Sequence, residues 1–186
     1  MASVQAQSHT DWELLFVDDG SDDDTVRIIC EASARDPRIR LVAKQSAAGK
    51  VAAFNKAFTA ASGQVIILLA GDDRLPPTSL EQRVSVVRRN YPQVTRVLAL
   101  FKLMTFSDDP KFDGMVLPKG DAGSRSGGSL TMSMELAQGA FPIPGHLAAE
   151  DIWLGEATKA LTESTLVSNE VLSLIHISEP TRLLSI

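Results

Sequence analysis

Four short apolar runs, WELLFV (12–17), IRLVA (39–43), QVIILLA (64–70) and RVLALFKLMTF (96–106), are separated by stretches of helical length. Runs this short and this continuous suit strands covered on both faces. After the first run, Val26, Ile28, Ile29, Ala32 and Ser33 recur at helical spacing from Asp24 until Asp36-Pro37 stops the helix. A second helix is expected over 49–61, carrying Val51, Ala52, Ala53, Phe54, Ala57 and Phe58, with Gly63 as its C-terminal cap. Pro76 and Pro77 lead into a third over 80–90, and Pro92 lies just beyond it. Strands alternating with helices predict an α/β fold, with a mainly parallel sheet flanked by helices. The 186 residues suffice for one such domain.

After the fourth run the pattern changes. Residues 107–129 are rich in Gly, Asp, Ser and Pro and read as a long loop, the kind that is functional or mobile in a compact domain. A short helix is expected over 131–138, a turn at 141–145 and a helix over 150–162, with Ile152, Trp153, Ala157 and Leu161 near one face. There is no internal repeat and no Cys/His spacing suited to zinc.

In a parallel sheet, ligands sit beyond the carboxyl ends of the strands. Two acidic pairs fall there: Asp18–Asp19 in VDDGSDDDT (17–25) and Asp72–Asp73 in LLAGDDRLPP (68–77). The first pair can accept hydrogen bonds from a base or ribose, with Gly20 allowing a tight turn and Ser21 or Asp22 capping the next helix. The same residues also make sense as a capped loop with no ligand. Adjacent carboxylates such as Asp72 and Asp73 repel each other unless a proton or a cation relieves them. Mg²⁺ suits that role, because it binds through one or two carboxylates plus phosphate oxygens. The alternative is a plain acidic turn before a helix. A third pair, Glu150–Asp151, opens a helix, where the dipole favours negative charge whether or not there is chemistry; Asp151 is also placed to serve as a general base.

The net charge is -5, and the acidic residues cluster at 18–24, 72–73, 108–109 and 150–151. A nucleic-acid partner is not expected, because a duplex binder shows a basic stripe. The lone Cys30 fits a reducing compartment. Residues 1–12 lack the apolar core of a signal peptide, and VIILLA is too short to span a bilayer. No transmembrane segment is expected, and the cytoplasm, or the inner face of its membrane, is the expected location.

Five segments resemble those of family 2 glycosyltransferases. VDDGSDDDT (17–25) is similar to that family's VDDGS-x-D-x-T segment, and GKVAAFNKAF (49–58) to its Gly-x-x-x-Ala-x-Asn-x-Ala/Gly helix. VIILLAGDDRLPP (65–77) resembles its strand and metal-binding acidic motif, and SGGSLTMSMELAQGAFPIP (126–144) its acceptor-side segment. AEDIWL (149–154) resembles its Glu-Asp or His-Asp motif with a following Trp. The five stand in the family's order across 3–171.

The resemblance implies a GT-A fold and an inverting, hexosyltransferase-type enzyme of polysaccharide or glycoconjugate assembly. Its partners would be a nucleoside diphosphate sugar and a carbohydrate or glycolipid acceptor. By the same resemblance, Asp18, Asp19 and Ser21 would bind the donor's base and ribose, and Lys50 its phosphates. Asp72 and Asp73 would hold Mg²⁺ or Mn²⁺ on the diphosphate. Asp151 would deprotonate the acceptor, with Glu150 orienting it. The sequence departs from the family at Ala70, where many members carry a further Asp.

Both ends depart from the family's pattern too. The first residues resemble the end of a helix whose strand is missing. LSLIHISEPTR (172–182) resembles the in-frame translation of an adapter used in preparing sequencing libraries. Residues 172–186 are therefore expected to be a non-native tail outside the fold, with His176 carrying no function; the alternative is a real strand over Val171–Ile177 followed by a turn at Pro180. Three other readings stay open. A receiver domain also pairs acids after a strand, but needs a lysine at the end of a later strand, and Lys102 lies inside one. A sugar nucleotidyltransferase has a related sheet, but its Gly-rich phosphate loop is not seen. A remnant that binds sugar nucleotide without transfer fits the same motifs.

Overall fold

The sheet is organised around β4 (Val97–Phe106), whose first seven residues are all buried. Burial on both faces explains its uninterrupted apolar run: Leu98 and Leu100 pack on one side, Ala99 and Phe101 on the other, following the strand's period of two. The structure, a computed structural model, describes residues 1–89, 91–147 and 150–177. The expected end of the third helix at Asn90, the Ala148–Ala149 approach to the Glu-Asp motif and the tail at 178–186 lie outside these residues.

The elements before β4 follow the sequence reading closely, except that the second helix is capped by Ala60 rather than Gly63 and the third apolar run is strand only over Val65–Ile67. They are α1 (Ala2–Gln5), β1 (Leu14–Asp18), α2 (Thr25–Arg35), β2 (Ile39–Lys44), α3 (Lys50–Thr59), β3 (Val65–Ile67) and α4 (Ser79–Arg88). Asp23, rather than Ser21 or Asp22, accepts the Thr25 N–H at 2.9 Å at the start of α2. Asp24 instead heads an ion-pair ladder along that helix, through Arg27 to Glu31.

After β4 come β5 (Val116–Leu117), a 3₁₀ turn at Gly127–Ser129, β6 (Leu130–Ser133), α5 (Met134–Ala140), α6 (Glu150–Leu161) and β7 (Ser164–His176). The sheet is mixed rather than mainly parallel. β1 and β2 pair in parallel, as do β4 and β7. β6, however, lies antiparallel between β3 and β4, and β5 is antiparallel to β4. Crossover through α4 keeps β3 and β4 running the same way. β6 arrives from the loop at the far end of β4, not from a crossover helix, and so inserts in the opposite sense. The helix expected from 131 starts three residues later, where the Ser133 side chain accepts the Leu136 N–H.

Residues 172–177, expected outside the fold, are part of it. Leu172 and Ser173 are each 1 % exposed, and β7 pairs along β4 as far as His176. Pairing to β4 and the bonds from Arg83 to Leu172 and Ser173 place this segment.

Two core layers sandwich the five-stranded sheet. One holds Ile66, Leu68, Leu130 and Met132 against α3, α5 and α6. On the other face α4 covers Phe101 through Val86, and Leu75 and Leu80 pack against Ile67 and Leu69. β1 pairs only with β2 and β3 only with β6 among the described residues. A cavity of about 470 Å³ lies between the two, lined by Trp12, Leu14, Ile67 and Leu75 among others.

Arg83 of α4 is fully buried and faces no carboxylate among its hydrogen-bond partners. Its guanidinium donates to Ser79 Oγ (3.0 Å), Thr131 Oγ1 (2.6 Å), Ser173 Oγ (2.7 Å) and the carbonyls of Leu172 (3.0 Å) and Gly128 (3.3 Å). Burial pushes it down to about 9, so it stays a cation at neutral pH. A planar fork can satisfy this many neutral acceptors; an ammonium with three donors cannot. Arg83→Lys should therefore cost about 3 kcal/mol, more than Arg83→Met, which removes the charge together with its bonds. Urea unfolding of the three proteins checks this, and a lysine variant as stable as the parent refutes the fork.

Candidate active site

Asp18 ends β1 with 7 % exposure, and its carboxylate accepts the N–H groups of Gly20 and Ser21, both at 3.3 Å. The Ser21 hydroxyl, aided by those N–H groups, holds it below the ordinary carboxylate range. Gly20 has φ 96, a left-handed backbone that glycine accepts without strain. Asp19 grips the loop before α3. It accepts from the N–H of Ala48 (2.8 Å) and Gly49 (2.9 Å) and from Gln45 Nε2 (3.0 Å). These contacts, the Ala48 N–H foremost, lower its pKa against burial and the Asp18 charge.

The second acidic pair sits in a turn stitched to β7. Arg74 and Leu174 exchange backbone hydrogen bonds of 2.9 and 2.8 Å. The His176 N–H donates to Asp73 Oδ1 at 3.0 Å, and its Nδ1 lies 3.7 Å from Asp72 Oδ2. Burial, reinforced by the Asp72 charge, pushes Asp73 above the ordinary range despite the His176 bond. Opposite it, a side chain at Gly128 would lie 3.6 Å from Asp73 Oδ2 and 3.3 Å from Ile175.

The third pair opens α6. Glu150 is 4 % exposed and makes an ion pair with Lys50, the first residue of α3. The base of α6 is fixed by Trp153, whose Nε1 donates to the Ala140 carbonyl at 2.8 Å. Asn55 of α3 is bound at both ends of its amide to the backbone of Ile143, at 2.7 and 2.8 Å. That pins the 141–145 turn to α3.

Lys50, Asp72, Asp73, Glu150, Asp151 and His176 line one cavity of about 180 Å³, with Phe54, Ser126 and Gly128. Two of the three acidic pairs thus meet. Asp18, Asp19 and Ser21 are absent from this lining, and reach it only through the loop that Asp19 holds ahead of Lys50. His176, expected to carry no function, lines this cavity and bonds to Asp73, and Gly128, read only as part of the 126–144 segment, lies opposite Asp73. Lys102 is inside β4, with its ammonium bound to the carbonyls of Pro118 and Gly120, which does not suit a receiver's strand-end lysine.

This mixed α/β sheet, with acidic turns opening on a shared cleft, is the GT-A fold of nucleotide-sugar glycosyltransferases. S. aureus TarS in complex with UDP-GlcNAc superposes with a TM-score of 0.76 at 16 % identity, over 97 % of this chain and 54 % of that one. A Pyrobaculum calidifontis mannosyltransferase in complex with GDP-Man and Mn²⁺ gives 0.66 at 16 % identity, over 98 % and 52 %. The sequence profile described as Glycosyl transferase family 2 matches residues 1–129, and the chain belongs to that family. An Escherichia coli UDP-Glc:alpha-D-GlcNAc-diphosphoundecaprenol beta-1,3-glucosyltransferase is 38 % identical over 90 residues, 48 % of this chain and 35 % of that protein. The O-antigen biosynthesis protein RfbC of Myxococcus xanthus is 37 % identical over 83 residues, 44 % of this chain and 6 % of that one. The chain thus spans about a third or less of these two curated relatives.

Asp73 carries a stability cost with a definite sign. Its folded pKa is raised, so the native state loses stability as pH rises through that value and keeps it below the unfolded value of 3.8. Asp73→Asn should stabilise the protein at pH 7 by less than about 1 kcal/mol, given solvent screening. The gain should vanish below the ordinary carboxylate range. Thermal midpoints at pH 7 and pH 3 test this; a destabilised variant at pH 7 contradicts it.

Proposed function

We propose that this chain is the donor-binding and catalytic part of an inverting glycosyltransferase that uses a nucleoside diphosphate sugar and a divalent cation. One observation carries the reading: acidic pairs from distant parts of the sequence, Asp72–Asp73 and Glu150–Asp151, line one small cavity with Lys50. A charge balance of that kind suits a cation and a diphosphate.

Among the described residues, no three acidic, histidine or cysteine groups are gathered to hold a metal alone. Two adjacent carboxylates, one of them ill at ease when ionised, fit Mg²⁺ or Mn²⁺ completed by phosphate oxygens and water. Asp72 and Asp73 would hold the ion. Bound there, it would offset negative charge on the diphosphate as the glycosidic bond breaks. Lys50, at the start of α3, is within reach of the same phosphates. Asp18, Asp19 and Ser21 flank the base and ribose in this reading, and Asp19 also sets the loop from which Lys50 projects.

Asp151 accepts the proton of the acceptor hydroxyl. The freed oxygen then forms its bond to the anomeric carbon from the side opposite the diphosphate, which departs with the bonding electrons. Configuration inverts. Glu150, buried against Lys50, keeps the start of α6 in place for this step. The relative named for O-antigen biosynthesis supports surface-polysaccharide or glycolipid assembly as the setting. Among the described residues no helix is long and apolar enough to cross a membrane.

Two measurements test the reading. A panel of UDP- and dTDP-sugars with Mn²⁺ should raise the melting temperature; no shift with any member counts against a transferase. Asp151→Asn should abolish transfer, a loss of about 10²-fold or more, while leaving donor affinity near that of the parent. Donor binding that disappears with the substitution overturns the base assignment.

A further inference from the structure

The cleft brings four carboxylates, Asp72, Asp73, Glu150 and Asp151, around one lysine. The pairing of Lys50 with Glu150 is lopsided. The glutamate side chain is 5 % exposed and fixed at a helix start, whereas the lysine side chain is 59 % exposed on a flexible stem. A buried carboxylate is costly to leave without a counter-charge. The backbone beneath Lys50 is held still, because Asp19 grips the N–H groups of Ala48 and Gly49. Any movement of the ammonium is therefore rotation of the side chain alone.

We propose that Lys50 is a resident counter-ion of the acidic cleft, one that a divalent cation must displace before the diphosphate is bound. The ammonium sits on Glu150 and within the field of Asp73 and Asp151. Burial pulls its pKa down, but those three carboxylates outweigh it, so the lysine stays charged. Arrival of a divalent ion at Asp72–Asp73 brings two more positive charges into the same cleft. Repulsion then turns the exposed stem outward, toward the phosphates that accompany the ion. Lys50 opposes the metal when it arrives alone and supports the donor that follows. The inference rests on the cation reading of Asp72–Asp73.

Mn²⁺ alone, titrated into the full chain with free ion followed by electron paramagnetic resonance, tests it. Lys50→Gln should bind Mn²⁺ about threefold more tightly or better, since a positive charge has left the cleft, while Lys50→Arg should match the parent. UDP binding in the presence of saturating Mn²⁺ should move the other way in Lys50→Gln. Opposite shifts for the two ligands exclude a simple loss of fold, which weakens both. Equal or weaker Mn²⁺ binding by Lys50→Gln, with binding still lost in Asp73→Asn, overturns the displacement and leaves the cation site standing. Mn²⁺ binding that is absent, or indifferent to Asp73→Asn, removes the cation site and the displacement with it.

Discussion

The buried guanidinium of Arg83 is the contact on which the wall of the cleft depends. It joins α4 to the 3₁₀ turn at Gly128, to β6 at Thr131 and to β7 at Leu172 and Ser173. Gly128 and β7 are the two backbone segments that close around Asp73. A neutral network would serve packing as well. The charge is tolerated because six hydrogen bonds replace water around a group that stays protonated at neutral pH. The acidic turn is thus positioned from behind by a cation that never meets it.

On the open side the electrostatics are reversed. Asp73 is pushed toward its protonated form by burial and by Asp72, and Glu150 is buried with one long, exposed lysine as its ion-pair partner. A protein selected for stability alone would dilute these charges, since like carboxylates in a partly dry cavity work against the folded state. Such a cluster is explicable if the missing charge comes from a ligand. The structure therefore holds a charge mismatch that a cationic ligand would relieve.

Much of this architecture is legible in the sequence because it depends on local pattern. β1 to β4 and α2 to α4 were readable from apolar periodicity and from Pro and Gly stops, and the Asp72–Asp73 turn from its place at a strand end. β6 was not, because four residues directly before a helix carry too little period of their own; the N-cap role of Ser133 is the one signal that could have separated them. The end of β7, residues 172–176, resembles an adapter translation, which hides a strand that its apolar residues suit. Arg83 in SLEQRVSVVR looks like any exposed helical arginine, and only tertiary contact shows otherwise. Asp18 and Asp19 were legible as a turn, yet their distance from the cavity depends on how the loop at 45–49 is folded.

That loop leads into α3, and α3 is where the separate segments become one site. Asp19 holds its first N–H groups, Lys50 at its start reaches Glu150, and Asn55 one turn later is bonded twice to Ile143. A ligand that shifts the Asp19 loop therefore acts on a helix whose other contacts fix the start of α6 and the 141–145 turn. The packing beneath is unyielding: Phe58 stacks on Phe141 at 4.2 Å, and Val51 is buried in the main core. Side-chain exchange at Lys50 is consequently easier than movement of the helix. The Asp72–Asp73 turn and the Glu150–Asp151 helix start can then be linked by charge, with the backbone of α3 serving as the fixed reference for both.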